Sequence, residues 1–405
     1  MSTWADTTKL LANKPRVASA TSALVIAPQW IGDAVMTQPL IARLAARGER
    51  ITVAALPWVA PVYRCMPQVA EVIELPFAHG GLQFKARRSI AKQIAGQFDV
   101  AYVLPNSLKS ALLPLLAGIP KRVGYMGEAR IGLLTHRLPN PPKATRPPMV
   151  AFYSALSGEA GVKFDRPSLQ VSDAQAEQAV AELNALLAKS VTEHQATHAS
   201  ALVSVRHEPV EGLTQALPPV RPELVEGFMQ APVLQRGSYA VFVHGAEYGP
   251  AKRWPAAHFA ALAAQLGMPV LLFGSAKDAP LCDEIVALAQ LASSKPLPIY
   301  NLAGKTPLVI AIWSLFASKS VVTNDSGLMH VAAALDIPQV AIFGSSSPLH
   351  TPPLSSAAQV IWLKSDPTYL PALDCAPCFE RTCPLGHTRC LGDVSPQRVL
   401  GLMRG

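Results

Sequence analysis

No uninterrupted apolar run in this 405-residue chain approaches the roughly 18 residues that a membrane-crossing helix needs, which argues against a helical integral membrane protein. The first twenty residues also lack an apolar core. They carry Asp, Lys, Arg and Asn, so they read as a loose extension and not as a secretory signal. No Walker A sequence and no intact Gly-x-Gly-x-x-Gly occurs, so P-loop NTPase and dinucleotide readings lack their phosphate-binding motifs. Cysteine is scarce, at six. Without a secretory signal, the expected compartment is the cytoplasm and the expected state of those thiols is reduced. Acid is nearly missing from one window. Between Lys85 and Arg146 there are eleven Lys or Arg but only Asp99 and Glu128, an excess of nine that exceeds the net +8 of the whole chain. Such a patch suits a polyanion: nucleic acid, anionic lipid or a phosphorylated glycolipid. Its plain alternative is a solvated basic face.

Half of the residues are hydrophobic, and a chain of this length suits two cores better than one. Short β-branched runs alternate with helical stretches. Strands are expected at 23–27, 51–56, 72–75, 100–104, 121–125, 239–243, 270–273, 321–323 and 339–343. Helices are expected at 34–47, 90–97, 110–117, 149–157, 172–189, 256–266, 283–292, 308–317, 328–335 and 396–403. This alternation predicts an α/β protein with parallel sheets covered on both faces. Residues 190–237 break the pattern. They are rich in Pro, Gln, His and Glu, and Val205–Gly212 is echoed fifteen positions later by Val220–Gly227. They read as an inserted, mobile linker.

The most informative stretch is Val321–Pro348, strand, helix and strand in about 28 residues, the size of a βαβ unit. Its turn, Asn324-Asp325-Ser326-Gly327, opens a helix, and helix N-termini offer free N–H groups to phosphate. Asp325 could equally be a simple cap, and His330, one turn on, a satisfied core histidine. In open parallel sheets ligands sit beyond the carboxyl ends of the strands. That rule singles out Asp33 after the first strand. It also singles out three turns of the second half: Gly245–Lys252, Gly274–Asp278 and Asp325–Gly327. Asp33 has the type and place of a general base, or of a carboxylate that favours its helix N-terminus. Lys252 can neutralise a leaving diphosphate, or belong to a surface Lys-Arg pair. Cys375, Cys378, Cys383 and Cys390 form C-x2-C-x4-C-x6-C, a candidate structural zinc or iron–sulfur site, with free thiols and disulfides as alternatives.

Several motifs, in order, resemble those of the bacterial lipopolysaccharide heptosyltransferases, glycosyltransferase family 9, and among them those of type II. They are Ala27-Pro28-Gln29-Trp30-Ile31-Gly32-Asp33 with its continuation to Leu40, Tyr102–Ala111, Gly245–Pro255, and Asn324–His330 with Val331–Leu335. The resemblance implies a GT-B fold: two Rossmann-like, doubly wound parallel-sheet domains facing across a cleft. It implies inverting transfer of L-glycero-D-manno-heptose from ADP-heptose to the first inner-core heptose of a heptosyl-Kdo2-lipid A acceptor. No cofactor is required for this chemistry, and no nucleic acid partner is implied. The protein would act in the cytoplasm, peripherally on the anionic surface of the inner membrane.

Carried over position by position, Asp33 matches the base. Lys252, Asp325, Ser326, Gly327 and His330 match the donor site, to which Gly245, Glu247, Gly274 and Ser275 are added. Asn106, Lys109 and Arg130 are the expected acceptor contacts. The expected layout is an extension (1–20), an acceptor-side domain (21–189), the linker (190–237), a donor domain with the Cys-rich tail (238–395) and a closing helix (396–405). The insertion, the extension and Gln29 depart from the enterobacterial pattern, and the Cys-rich tail belongs to only some members. Heptosyltransferase I or another related transferase is the runner-up within the family. A non-catalytic nucleotide- or anion-binding protein on the same scaffold is the alternative outside it, and such a protein has no use for a carboxylate beside an anionic ligand.

Overall fold

The computed structural model describes residues 20–78, 81–142, 146–159, 165–204, 232–245 and 249–404. The first six strands are β1 (Ser22–Ile26), β2 (Arg50–Ala55), β3 (Val69–Glu74), β4 (Val100–Val103), β5 (Lys121–Tyr125) and β6 (His136–Leu138). They form one sheet in the order β3-β2-β1-β4-β5-β6. The next six are β7 (Ala240–Val243), β8 (Val270–Leu272), β9 (Ile299–Asn301), β10 (Ser320–Asn324), β11 (Gln339–Phe343) and β12 (Ala358–Trp362). Their order is β12-β11-β10-β7-β8-β9. Every pairing is parallel. Numbered from its own first strand, the second sheet has the same order as the first, that of the doubly wound dinucleotide fold. The α/β reading therefore holds twice over.

The strand sequences explain the burial. β4 (VAYV), β7 (AVFV) and β11 (QVAIF) are buried at every residue, as expected of strands covered on both faces. The strands not foreseen, β6, β9 and β12, lie at or near sheet edges. β6 reads His-Arg-Leu and β9 has three residues, too short and too polar to carry a period-two signal. Each sheet has its own core. One gathers Leu24, Ile26, Ile73, Ile90, Ala101 and Leu113. The other gathers Phe242, Trp254, Phe259, Leu272, Ile285 and Ile342.

Contacts divide the chain into two units. One comprises residues 1–170, 333–335 and 349–355, the other 171–332, 336–348 and 356–405. The expected boundary at 189 is thus corrected to 170–171. The helix Asp173–Ser204 packs on Leu308–Ala317 in the second unit. The expected linker is corrected as well. Residues 190–204 continue that helix. Near the far end of the expected linker, Leu234 is held by Asn184 of that helix through two hydrogen bonds, of 2.8 and 3.1 Å, and Arg236 meets Asp173 at 2.6 Å. The near-repeat at 205–227 lies outside the described residues, as does the extension at 1–19.

One local departure sets up the site. The single helix expected over 34–47 begins instead at Ile31 and breaks at Thr37, into Ile31–Met36 and Gln38–Ala46. Pro39 supplies no N–H to the first turn of the second helix, where none is needed. Asp33 therefore stands in the first turn of a six-residue helix.

Candidate active site

Both sheets have the point where strand order reverses, between β1 and β4 in one and β7 and β10 in the other. Asp33, Asn106, Lys252 and Asp325 follow these four strands, where doubly wound sheets bind ligands, while Gly274 and Ser275 follow β8 and Arg130 follows β5.

In the first unit, Asp33 follows β1. Its side chain is partly accessible, yet protein surrounds it closely enough that lost hydration dominates. Burial raises its carboxyl from 3.8 to about 6, and a hydrogen bond from Tyr153 opposes the rise. The Tyr153 hydroxyl donates to Asp33 Oδ1 at 3.1 Å. After β4, Asn106 and Lys109 are partly exposed. Arg130, expected as an acceptor contact, is a buried cation. It is 2% exposed. It donates to Pro105 O at 2.8 Å, to Asn106 Oδ1 at 3.1 Å and to Tyr125 O. Its place is to hold the 105–106 turn against the end of β5. Glu128 adds to this by accepting the Leu108 N–H at 2.7 Å.

In the second unit one buried amide gathers the turns. Asn324, the last residue of β10, donates through Nδ2 to His244 O at 2.6 Å. Its Oδ1 accepts the Trp254 N–H at 3.0 Å. The end of β7 and the Lys252–Trp254 segment are thereby fixed to β10. Asn324→Ala leaves a buried carbonyl and a buried N–H without partners, each worth about 1–3 kcal/mol. The expected result is a loss of roughly 2–4 kcal/mol in urea unfolding, against near-neutral behaviour for a surface alanine variant.

Asp325 is next, and it does not cap the following helix. Ser326 does so, its Oγ accepting the Met329 N–H at 3.3 Å. Asp325 is left to face Lys252, with Nζ to Oδ2 at 2.5 Å and both side chains largely shielded. Gly327 begins the helix Gly327–Ala334. His330 is buried, and its imidazole is lowered to about 4, chiefly by burial. Asp325 opposes that shift and Lys252 adds to it. It is neutral at physiological pH and can offer a hydrogen bond but no charge.

A second cluster lies beside it. Asp278 Oδ2 accepts both the Ser275 N–H at 2.9 Å and the Ser275 hydroxyl at 2.7 Å, and Asp278 faces Arg253 at 3.6 Å. A Cβ on Gly245 would stand 2.8 Å from Asp278 Oδ2, and one on Gly274 2.9 Å from Asp278 Cβ. Glycine at both positions is what lets the two turns close on this carboxylate. Glu247 lies outside the described residues.

The Cys-rich tail braces the same region. Its Arg381 carbonyl accepts the Ala251 N–H at 3.0 Å, and Phe379 N–H reaches Ser345 O at 2.8 Å. All six cysteines are free. Burial first, then Cys375, Cys378 and Cys383, push the Cys390 thiol up to about 11. Among the described residues no group of three or more His, Cys, Asp or Glu is placed to hold a metal ion. The C-x2-C-x4-C-x6-C spacing therefore brings the four cysteines into one segment without forming a donor set.

Sequence reasoning missed Tyr153 and the knot made by Asn324, and it singled out the Gly274–Asp278 turn without giving the Asp278 carboxylate a role. Asn324 sat in plain view beside Asp325. Tyr153 gave no signal, since 120 positions separate it from Asp33.

The sequence model of the family described as glycosyltransferase family 9 (heptosyltransferase) matches residues 87–389. The lipopolysaccharide heptosyltransferase 2 of Escherichia coli K12 is 39% identical over 393 residues, 93% of this chain and 96% of that protein. The lipooligosaccharide heptosyltransferase 2 of Haemophilus influenzae is 38% identical over 354 residues, 84% of this chain and 88% of the relative. Among solved structures, that of E. coli ADP-heptose lipopolysaccharide heptosyltransferase II superposes with a TM-score of 0.71 at 35% identity. It covers 95% of this chain and 98% of the other.

Proposed function

We propose, from the premise that this chain belongs to glycosyltransferase family 9, the heptosyltransferases, that Asp33 is the base of the transfer and that Lys252 and Asp325 form the core of its donor site. The protein is a GT-B-type glycosyltransferase of the heptosyltransferase 2 kind, and its donor is a nucleotide sugar. The specific reading is transfer of heptose from ADP-heptose to a hydroxyl of the first heptose of the lipopolysaccharide inner core.

The supporting observation is a carboxylate raised to about 6 in the turn after β1. In that range it is ionised at neutral pH and still basic enough to accept a proton. The acceptor hydroxyl attacks the anomeric carbon while Asp33 takes its proton. The bond from that carbon to the diphosphate oxygen breaks, and direct displacement inverts the configuration. Negative charge growing on the departing ADP is met by the Lys252 ammonium and the N–H groups that open the helix at Gly327. Asn106 and Lys109 are the acceptor contacts in this reading, and Arg130 holds Asn106 in place. ADP release with ADP-heptose and a truncated one-heptose acceptor tests the assignment. Equal turnover on an acceptor lacking that heptose would overturn it in favour of the heptosyltransferase I reaction.

Acceptors of this class sit in a bilayer. No helix among the described residues is long and apolar enough to cross a membrane. The helix Phe84–Ile94 offers a docking face instead, with Phe84, Lys85, Arg88 and Lys92 exposed. Arg87 is not part of that face. It is buried, lies 4.2 Å above the Phe77 ring and donates to Leu82 O at 2.8 Å. Reversing Lys85, Arg88 and Lys92 to Glu is therefore expected to release the protein from anionic vesicles and raise the acceptor KM at least severalfold. Each basic residue near such a surface is worth about 1 kcal/mol. The donor KM should stay put, and unchanged co-sedimentation would leave this helix as ordinary surface.

A further inference from the structure

The first unit commits an unusual amount of aromatic packing to one phenol. Tyr153 lies in the helix Met149–Ser154. Phe152 in that helix stacks on Tyr125, with centroids 3.9 Å apart and planes 10° apart. The Tyr125 hydroxyl donates to Phe152 O at 2.6 Å. Arg146 covers the outer face of Phe152 at 5.4 Å, and Phe152 meets Tyr153 edge-on. The helix is thus clamped to the end of β5, and Tyr153 is clamped with it. Its hydroxyl reaches Asp33 Oδ1 at 3.1 Å. Among the described residues Oδ1 is the carboxylate oxygen that receives a hydrogen bond, which leaves Oδ2 for substrate.

We propose that Tyr153 is a positioning residue for the transfer, its hydroxyl holding the Asp33 carboxylate by Oδ1 so that Oδ2 faces the acceptor hydroxyl. The inference rests on Asp33 being the base. Held at one oxygen by a donor on a clamped helix, the carboxylate loses its freedom to rotate, and the proton-accepting lone pair is set before substrate arrives. Tyr153 is itself buried, and its phenol is pushed well above its ordinary value by that burial and by Asp33. It therefore stays protonated and acts only as a donor. The other group near the carboxylate is Tyr63, from the helix Ala60–Arg64. It too is raised by burial and by Asp33, but its hydroxyl pairs with Thr37 Oγ1 at 3.4 Å and not with the carboxylate. Arg146 acts on Tyr153 and Tyr125 from the other side.

The test is the acid limb of kcat/KM against pH in the full-length enzyme. Removing the Tyr153 hydroxyl removes an interaction that favours the carboxylate. Tyr153→Phe should move the limb upward by roughly half to one pH unit and lower kcat on the plateau above it, with donor KM unchanged. Tyr63→Phe is the control. It removes an equally buried hydroxyl and should leave the limb in place. If Tyr153→Phe does not fold, 3-fluorotyrosine placed at position 153 alone gives a more acidic, stronger donor, and the limb should move downward. A limb that stays fixed in the readable variant overturns the inference. The underlying reading fails separately: turnover that survives Asp33→Asn removes the base itself, whatever Tyr153 does.

Discussion

Asp33→Asn is expected to lose about 10²–10⁴-fold in turnover, the usual cost of a general base, and to become more stable as it does so. The two outcomes have one cause. Burial raises the Asp33 carboxyl from 3.8 to about 6, so the folded state disfavours the charge that the unfolded chain carries freely. A carboxyl raised in this way supports the fold while it is protonated. That support is present below about pH 4 and is lost as pH rises through about 6. At neutral pH the wild-type protein therefore bears a penalty of roughly two pH units, on the order of 2–3 kcal/mol. Asparagine keeps the shape and can still accept from Tyr153 but carries no charge. For a unit of this size each kcal/mol is worth roughly 2–4 °C in Tm. Calorimetry at pH 7.5 should show the gain, and at pH 4 it should vanish. An inactive variant with no gain in Tm would mean that the carboxylate is better solvated than the structure places it.

Lys252→Ala is expected to cut kcat/KM by about 10²–10³-fold, the scale on which single charge-stabilising groups act in transfer reactions. The structure adds a twist to that loss. Lys252 and Asp325 are an ion pair with both side chains shielded. Removing the lysine leaves a bare carboxylate where the proposed donor site holds the diphosphate, so the alanine variant is expected to suffer both lost attraction and new repulsion. Lys252→Ala combined with Asp325→Asn should recover part of the loss, though neither change does so alone. Binding of ADP and of adenosine, measured by calorimetry, separates the effects. The single variant should weaken ADP far more than adenosine, and equal weakening of both would place Lys252 away from phosphate.

What the sequence made legible follows from the range of each signal. β5, β11 and the helices Ala256–Leu266 and Leu308–Ala317 stand where periodicity puts them, because their patterns are complete within one element. The turns that carry Asp33, Lys252 and Asp325 were legible because strand, turn and helix follow one another within a few residues. What escaped depends on distant partners. Arg130 looks like a surface cation until Pro105, Asn106 and Tyr125 close around it, and Arg87 until Phe77 lies beneath it. The length of the helix beginning at Asp173 escaped for a different reason. Its polar second half has no apolar stripe, so periodicity ended at Lys189 while the hydrogen-bonded helix runs on to Ser204. The cysteine spacing left metal, free thiols and disulfides open, because spacing along the chain does not fix how the side chains converge.

The repetition of strand order has a consequence for redesign. Asp33 and Lys252 follow the first strand of their respective sheets, β1 and β7. Asn106 and Asp325 follow the fourth, β4 and β10. One architecture is used twice, and in the proposed reading it carries opposite chemistry, a proton acceptor in one copy and a cation for the departing group in the other. On that reading the halves are separable, and exchanging the first unit among relatives is expected to change acceptor preference without disturbing recognition of the activated sugar. The seam for such an exchange is not the obvious cut at 170. Residues 333–335 and 349–355 belong with the first unit, where Ala334 O accepts the Leu169 N–H at 2.9 Å and His350 O the Met149 N–H at 3.2 Å. A graft that carries those two short returns along with residues 20–170 should inherit a whole acceptor half, whereas one that omits them should inherit a damaged one.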